Sequence, residues 1–399
     1  MDLFKKCYDY TLVEEYKKKG IYPYFHALES RQDKVVQMES KRRIMLGSNN
    51  YLGLTACPEV VEAGIKAMEK YGTGCSGSRF LNGTLDLHLE LEKELASFLR
   101  KDDACTWSTG FQSNLGIISA IAGKNDIIFC DRENHASIYD GCRLSLASMV
   151  RYHHNDMEEL EKLLQQADEN AGKLIITDGV FSMRGDIANI PRIVELAKAY
   201  GARVMIDDAH GLGVIGEGGR GTASYWGLEN EVDIYMGTFS KSLASLGGYM
   251  VASQKVINYV KHHSRPFIFS ASLPPANAAC ALAALRHLEA NPGLPRKLAG
   301  LSDYARRGMV ARNVPISLGE TPIIPIYLSD ADTTLQVAKD IFDAGVYVNP
   351  VLPPATGPNE CLLRTSYMAS LTESLIDEAL DIIASVLGDR FSKQAEAQA

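Results

Sequence analysis

The stretch "ARVMIDDAHGLGVIGEGGRG", residues 202–221, decides the fold. Its first half is apolar without alternation, "VMI", and ends on Asp207 and Asp208. Its second half is glycine-rich and turn-forming. An unbroken apolar run of this length, bounded by turn residues, reads as a strand buried on both faces. A carboxylate at the end of such a strand lies where parallel sheets place their ligand sites.

Six more short runs of the same kind lie on either side: "ACTWS" (104–108), "DIIFCD" (126–131), "SMVRY" (148–152), "KLIITDGV" (173–180), "VDIYMGTF" (232–239) and "GYMVAS" (248–253). Helical patterns separate several of them, such as "IPRIVELAKAY" (190–200). "PEVVEAGIKAMEKYG", from residue 58, has Pro58 near its start and Gly72 after its end, a helix bounded at both ends. Strands alternating with helices predict an α/β fold with a mainly parallel sheet covered by helices.

The texture changes after about residue 290. A Pro/Gly break, "NPGLPRKL", precedes a long helix. Then follow the strand "PIIPIYL", the helix "TTLQVAKDIFDAG", the strand "VYVNPV", the loop "LPPATGPNE", the strand "CLLRTSYM" and a final helix. The expected organisation is an N-terminal segment (1–55), a large domain (56–290) and a smaller C-terminal α+β domain (291–399). Residues 1–20 read as one polar amphipathic helix, "RRIML" (42–46) as a short strand, and the tail "SKQAEAQA" as frayed.

The chain has 399 residues, 41 basic and 49 acidic, for a formal net charge of -8. That balance argues against nonspecific nucleic-acid binding, which feeds on positive charge. No run approaches the roughly 18 apolar residues of a membrane span, and no apolar signal core opens the chain. The eight cysteines form no CxxC pair, so neither a disulfide framework nor a metal cluster is expected. These features predict a cytoplasmic enzyme without nucleic acid or metal.

The chemistry begins with "MGTFSKSLASLGGYM" (236–250). Lys241 stands beyond a strand among small residues, with no acidic residue within four positions. An amine in such a pocket can form a Schiff base with a carbonyl. Thr238 and Ser240 offer hydroxyls to a phosphate. A solvated lysine at a strand end would account for Lys241 taken alone. Asp207, with His210 three residues on, changes the balance. A pyridoxal phosphate enzyme needs an acid to keep its pyridinium charged, as well as a lysine. In "STGFQSN" (108–114), Gly110 and Phe111 open a helix, where free N–H groups favour phosphate. In "CDRENHASIYDG" (130–141), His135 follows a strand and could stack on a flat ring.

The set "GCSGSRFLNGT" (74–84), "STGFQSN", "NHASIYDG", "DGVFSMRGD" (178–186), "IDDAHGLGVIG" and "GTFSKSLASLGGY" resembles the α-oxoamine synthases, fold-type I pyridoxal phosphate transferases. The resemblance runs from about Lys18 to about Leu387. "GTFSKS", "GSRFLNGTLDLH" and "HNDMEEL" (154–160) resemble the bacterial serine palmitoyltransferase branch. The resemblance implies pyridoxal 5'-phosphate as cofactor, with Lys241 joined to its aldehyde. It sets Asp207 on the pyridine nitrogen, His210 on the ring hydroxyl and His135 on the ring face. Gly110, Phe111, Thr238 and Ser240 would surround the phosphate, and Ser182 would lie near the ring. Asn50 and Arg364 would bind the acidic group of the amino-acid substrate.

The implied reaction is the decarboxylative condensation of a serine-like amino acid with a fatty acyl thioester, on coenzyme A or an acyl carrier protein. Its product is a 3-keto long-chain amine, the first step of sphingolipid-type synthesis. The resemblance also implies a homodimer with a shared active site, reached by residues 72–83. Peripheral membrane contact is left open. The chain departs from the serine branch at "RTSYMASLT" (364–372), where Thr365, Tyr367, Ser370 and Leu371 differ. Those differences read either as drift or as retuning for the sulfonate cysteate, used by relatives that make sulfonolipids. A fold-type I aminotransferase is the alternative of another class; a regulatory domain of the same fold is disfavoured because lysine, aspartate and histidine are all present.

Overall fold

The computed structural model describes residues 1–357 and 360–398, with side chains as far as Gly388. The tail from Ser392, expected to fray, continues the backbone of the final helix, Glu373–Gln398. Two compact units are present: Asn49–Ala299, and Met1–Ser48 together with Gly300–Ala399. The segment expected over 1–55 is divided, residues 1–48 grouping with the C-terminal residues and 49–55 with the larger unit, and the boundary expected near 290 falls after Ala299.

The larger unit is built on seven strands: β1 (Asp103–Trp107), β2 (Asp126–Asp131), β3 (Ser148–Tyr152), β4 (Gly172–Asp178), β5 (Arg203–Asp207), β6 (Ile234–Thr238) and β7 (Gly248–Ala252). Their spatial order is β1-β7-β6-β5-β4-β2-β3. The run from β6 to β3 is parallel throughout. β7 is antiparallel to both its neighbours. The sequence could not show that reversal, because a strand buried on both faces reads the same in either direction.

Successive residues of each strand enter opposite cores. Val204 and Ile206 face one apolar layer, with Leu196 and Leu285. Met205 faces the other, with Ile117 and Ile257. Both faces are apolar, which is why the runs do not alternate. Val204, Met205 and Ile206 are each buried to 1% exposure or less, worth about 1.5–3 kcal/mol apiece. The helix Ile190–Tyr200 matches its sequence bounds because both ends are fixed. Asn189 accepts from Arg192 N–H, and Gly201 takes the left-handed φ of 65° that ends it.

The smaller unit holds two three-stranded sheets. In one, Lys41–Met45 lies between antiparallel Val35–Met38 and parallel Val346–Tyr347. In the other, Cys361–Ser366 lies antiparallel to both Ile323–Leu328 and Asn349–Val351. "VYVNPV", read as one strand, is thus divided between two sheets. Pro350 lacks the N–H a continuous ladder needs, and the Asn349 amide donates instead to Gly47 C=O at 2.7 Å. The predicted helix over 1–20 is two helices, Lys5–Tyr8 and Leu12–Lys19. Asp9 and Thr11 fall at the break, residue types that compete with helical backbone bonds.

Candidate active site

A cavity of about 250 Å³ opens in the larger unit at the carboxyl ends of β4, β5 and β6. Eight residues singled out from sequence line it: Gly110, Phe111, His135, Asp207, His210, Thr238, Ser240 and Lys241. Ser182, Asn50 and Arg364 are not among the lining residues. Ser182 is half-buried in the loop after β4. Asn50 is buried and donates to Thr55 Oγ1 at 2.6 Å. Arg364 is buried in the central strand of its sheet in the smaller unit.

Lys241 sits in the loop that joins β6 to antiparallel β7. Phe239 N–H donates to Gly247 C=O at 3.0 Å, and Ala244 N–H to Lys241 C=O at 3.1 Å. The nine residues 239–247 are thereby closed into a fixed turn. Gly247 holds a φ of 132°, where a side chain would also strike the Phe239 ring.

Asp207 is 5% exposed and ends β5 in register with Asp178 on β4. Asn114 donates one amide hydrogen to Asp207 Oδ2 at 2.7 Å and the other to Ser137 Oγ at 2.8 Å. Ser137 Oγ in turn lies 2.7 Å from His135 Nδ1. His135 Nδ1 also accepts from Ser137 N–H, at 3.3 Å, as the N-cap of the helix Ala136–Ser145. With Nδ1 an acceptor, the ring proton of the neutral imidazole is on Nε2. Burial lowers the His135 pKa; Asp207 raises it and Lys241 lowers it. Asp178, which also lines the cavity, is pushed well above the ordinary carboxylate range by burial and by Asp207. Sequence reasoning missed Asn114, Ser137 and Asp178. Asn114 and Ser137 were inside quoted motifs, but nothing in sequence shows a buried polar chain between them.

The phosphate end is recognisable too. Thr109 caps the helix Gly110–Ile121 by accepting from Gln112 N–H at 3.1 Å. Gly110 and Phe111, at the start of that twelve-residue helix, line the cavity together with Thr238 and Ser240, whose hydroxyls lie 2.8 Å apart. Glycine permits this close approach. A Cβ on Gly110 would meet Thr238 at 3.0 Å, and one on Gly248 would meet Gly110 Cα at 2.6 Å.

These residues fit pyridoxal phosphate. They supply an amine, a buried carboxylate, a neutral imidazole, and hydroxyls at a helix N-terminus. Asn114 Oδ1 is buried there without a hydrogen bond among the described residues, polar capacity inside an already polar wall.

The chain matches the aminotransferase class I and II family over residues 41–383. Fold and site together define a fold-type I pyridoxal-phosphate-dependent transferase. The chain belongs to that family, within the α-oxoamine synthases. It is 50% identical to the serine palmitoyltransferase of Bacteroides thetaiotaomicron, over 95% of this chain and 96% of the relative. It is 41% identical to an 8-amino-7-oxononanoate synthase of Thermoanaerobacter pseudethanolicus, over 92% and 93%. A serine palmitoyltransferase variant from S. paucimobilis, solved with a PLP–myriocin aldimine, superposes with a TM-score of 0.94 at 36% identity, covering 97% of this chain and 98% of that one.

Proposed function

We propose that this enzyme condenses serine with a fatty acyl thioester, releasing carbon dioxide and free thiol and giving a 3-keto long-chain amine. The observation that carries the reading is the meeting of Lys241, Asp207, His135 and His210 in one cavity, in a chain half identical to serine palmitoyltransferase. Bound pyridoxal phosphate supplies an aldehyde for the amino acid's nitrogen and a ring that holds the negative charge left at Cα. Lys241 Nζ would hold the cofactor's aldehyde and, when free, would be the base for the Cα proton. Asp207, held by Asn114, keeps the ring nitrogen protonated. His210 would donate to the ring hydroxyl, and neutral His135 would cover the ring face and exclude water. The helix N-terminus at Gly110 and Phe111, with Thr238 and Ser240, binds the phosphate. Ser182 lies near the ring, and Asn50 and Arg364 bind the amino acid's carboxylate; these three rest on the family resemblance alone.

A homodimer completes the site through residues 72–83, and the enzyme works in the cytoplasm. In support of the dimer, Phe80 and Leu81 of that segment are exposed at 48% and 76%. No helix among the described residues is long and apolar enough to cross a membrane. Of the four differences that raised cysteate, Thr365, Tyr367 and Leu371 are each 2% exposed or less and Ser370 is half-buried. Half identity to a serine palmitoyltransferase supports serine as the amino acid.

The test combines purified holoenzyme, serine and a fatty acyl-coenzyme A. Free thiol and labelled carbon dioxide should appear together; a keto acid without thiol would mean an aminotransferase. Borohydride should fix the cofactor to Lys241, found by mass mapping, and Lys241→Ala should leave no measurable turnover.

A further inference from the structure

We propose that His154 is a positioning residue: an imidazolium held between Asp131 and Asp186, it locks the loop that ends in His135 to the loop that carries Ser182. This rests on the reading of His135 as a wall of the cofactor site.

The geometry starts from "HNDMEEL", which lies just past β3, outside the cavity. His154 Nδ1 is 3.2 Å from Asp131 Oδ1, and Nε2 is 2.6 Å from Asp186 Oδ2. An ionised carboxylate only accepts. Two carboxylates on opposite ring nitrogens therefore require both to carry protons, which only the cation does. A third carboxylate, Glu133, reaches to 4.0 Å from Nε2. The Phe181 ring stands edge-on at 4.3 Å. Arg184 also faces this group, its Nε 2.9 Å from Glu133. Burial opposes the charge, but the hydrogen bonds to Asp131 and Asp186 raise the pKa to about 10.

The carboxylates belong to two different loops. Asp131 ends β2, is fully buried, and also accepts from Glu133 N–H and Asn155 N–H, both at 2.8 Å. Four residues on is His135, whose N–H donates to Asp178 at 3.3 Å. Asp186 closes the turn after β4: its C=O accepts from Phe181 N–H at 3.0 Å, and Ser182 lies inside that turn. Asn155 reinforces the link, its amide 3.3 Å from Asp186 Oδ2. His154 is not among the lining residues, and its bonds run to Asp131 and Asp186 in these loops.

The test is amide hydrogen exchange on apo-protein, with pyridoxal phosphate affinity measured by absorbance. His154→Gln removes the charge and keeps a polar side chain. Peptides 131–135 and 181–187 should exchange at least tenfold faster, with β5 unchanged, and cofactor affinity should fall about tenfold. Asp186→Asn, at the half-exposed end of the clasp, should do the same if the histidine variant folds poorly. His154→Arg should restore part of both losses. Unchanged exchange in the two loops overturns the clasp. Faster loops with unchanged cofactor affinity overturn its positioning role. A wild-type protein that binds no pyridoxal phosphate would sink the functional reading, and the exchange result would still decide the clasp.

Discussion

Tyr51 Oη and His210 Nδ1 stand 2.6 Å apart in the interior of the larger unit, 159 residues apart in sequence. Tyr51 is fully buried and its ring meets that of His210 edge-on, at 5.9 Å. Asn49 Oδ1 is 3.4 Å from the same hydroxyl, so the shorter contact dominates. When Tyr51 donates to Nδ1, Nε2 must carry the imidazole proton. His210 is then a donor at the cavity, as a phenolic oxygen on the cofactor requires.

Tyr51→Phe should therefore move the pH titration of the bound cofactor's visible band by about 0.5–1 unit, since a hydrogen bond is worth about 1 kcal/mol and one unit 1.36. Stability should fall by a similar amount. A band that titrates at the wild-type pH would remove Tyr51 from the site's electrostatics and leave it a packing residue.

Asp207 owes its orientation to Asn114 and to Ala209 N–H, which donates to Oδ1 at 3.1 Å. Asp207→Asn nearly preserves volume but removes the charge opposite the ring nitrogen. Cofactor should still bind, while exchange of the substrate Cα hydrogen slows by about 10²–10⁴-fold. Wild-type exchange in that variant would refute the assignment. Asn114→Leu should weaken cofactor binding and cost about 1–3 kcal/mol of stability, because it leaves buried Asp207 and Ser137 short of a partner.

How much of this was legible depended on distance along the chain. Lys241, Asp207 and His210 stand beside apolar strands, and strand ends are readable from composition. So are the helix start at Gly110 and its phosphate potential. Tyr51 and Asn114 act on residues 159 and 93 positions away, and no local pattern encodes such a pairing. Other misses were local: a strand buried on both faces hides its direction, as β7 does, and the short strand Val35–Met38 lacks a turn signal. That strand turns back through Glu39 and Ser40, both at positive φ, without the glycine or asparagine that usually signals a tight hairpin.

The His154 clasp gives stability a pH dependence with a definite sign. Its pKa rises from the ordinary 6.5 to about 10 on folding. The stabilisation is then complete below about pH 6.5 and is lost as pH climbs through about 10. Urea unfolding of wild type and His154→Gln at pH 7, 9 and 10.5 should show a difference that is largest at pH 7 and shrinks at each step. A difference that does not change with pH would mean that the imidazole stabilises by packing against Phe181, not by charge.

Tyr367 offers the sharpest test of the amino-acid substrate. It follows the strand Cys361–Ser366, is fully buried in the smaller unit, and its hydroxyl makes no well-formed hydrogen bond among the described residues, with only the Thr365 hydroxyl acting on it weakly. Burial pushes that hydroxyl's pKa up. Thr365 beside it is occupied, donating to Ile324 C=O at 2.7 Å, and Leu371 is core. A buried hydroxyl without a partner costs about 1–3 kcal/mol relative to a satisfied one. Tyr367→Phe should therefore leave stability unchanged or raise it by about 1 kcal/mol, and leave kcat/KM for serine as it was. If these positions instead retune recognition, cysteate should outcompete serine in the condensation assay, and Tyr367→Phe should shift that ratio. A wild-type preference for cysteate that this substitution alters would replace serine as the substrate and give the buried differences a functional cause.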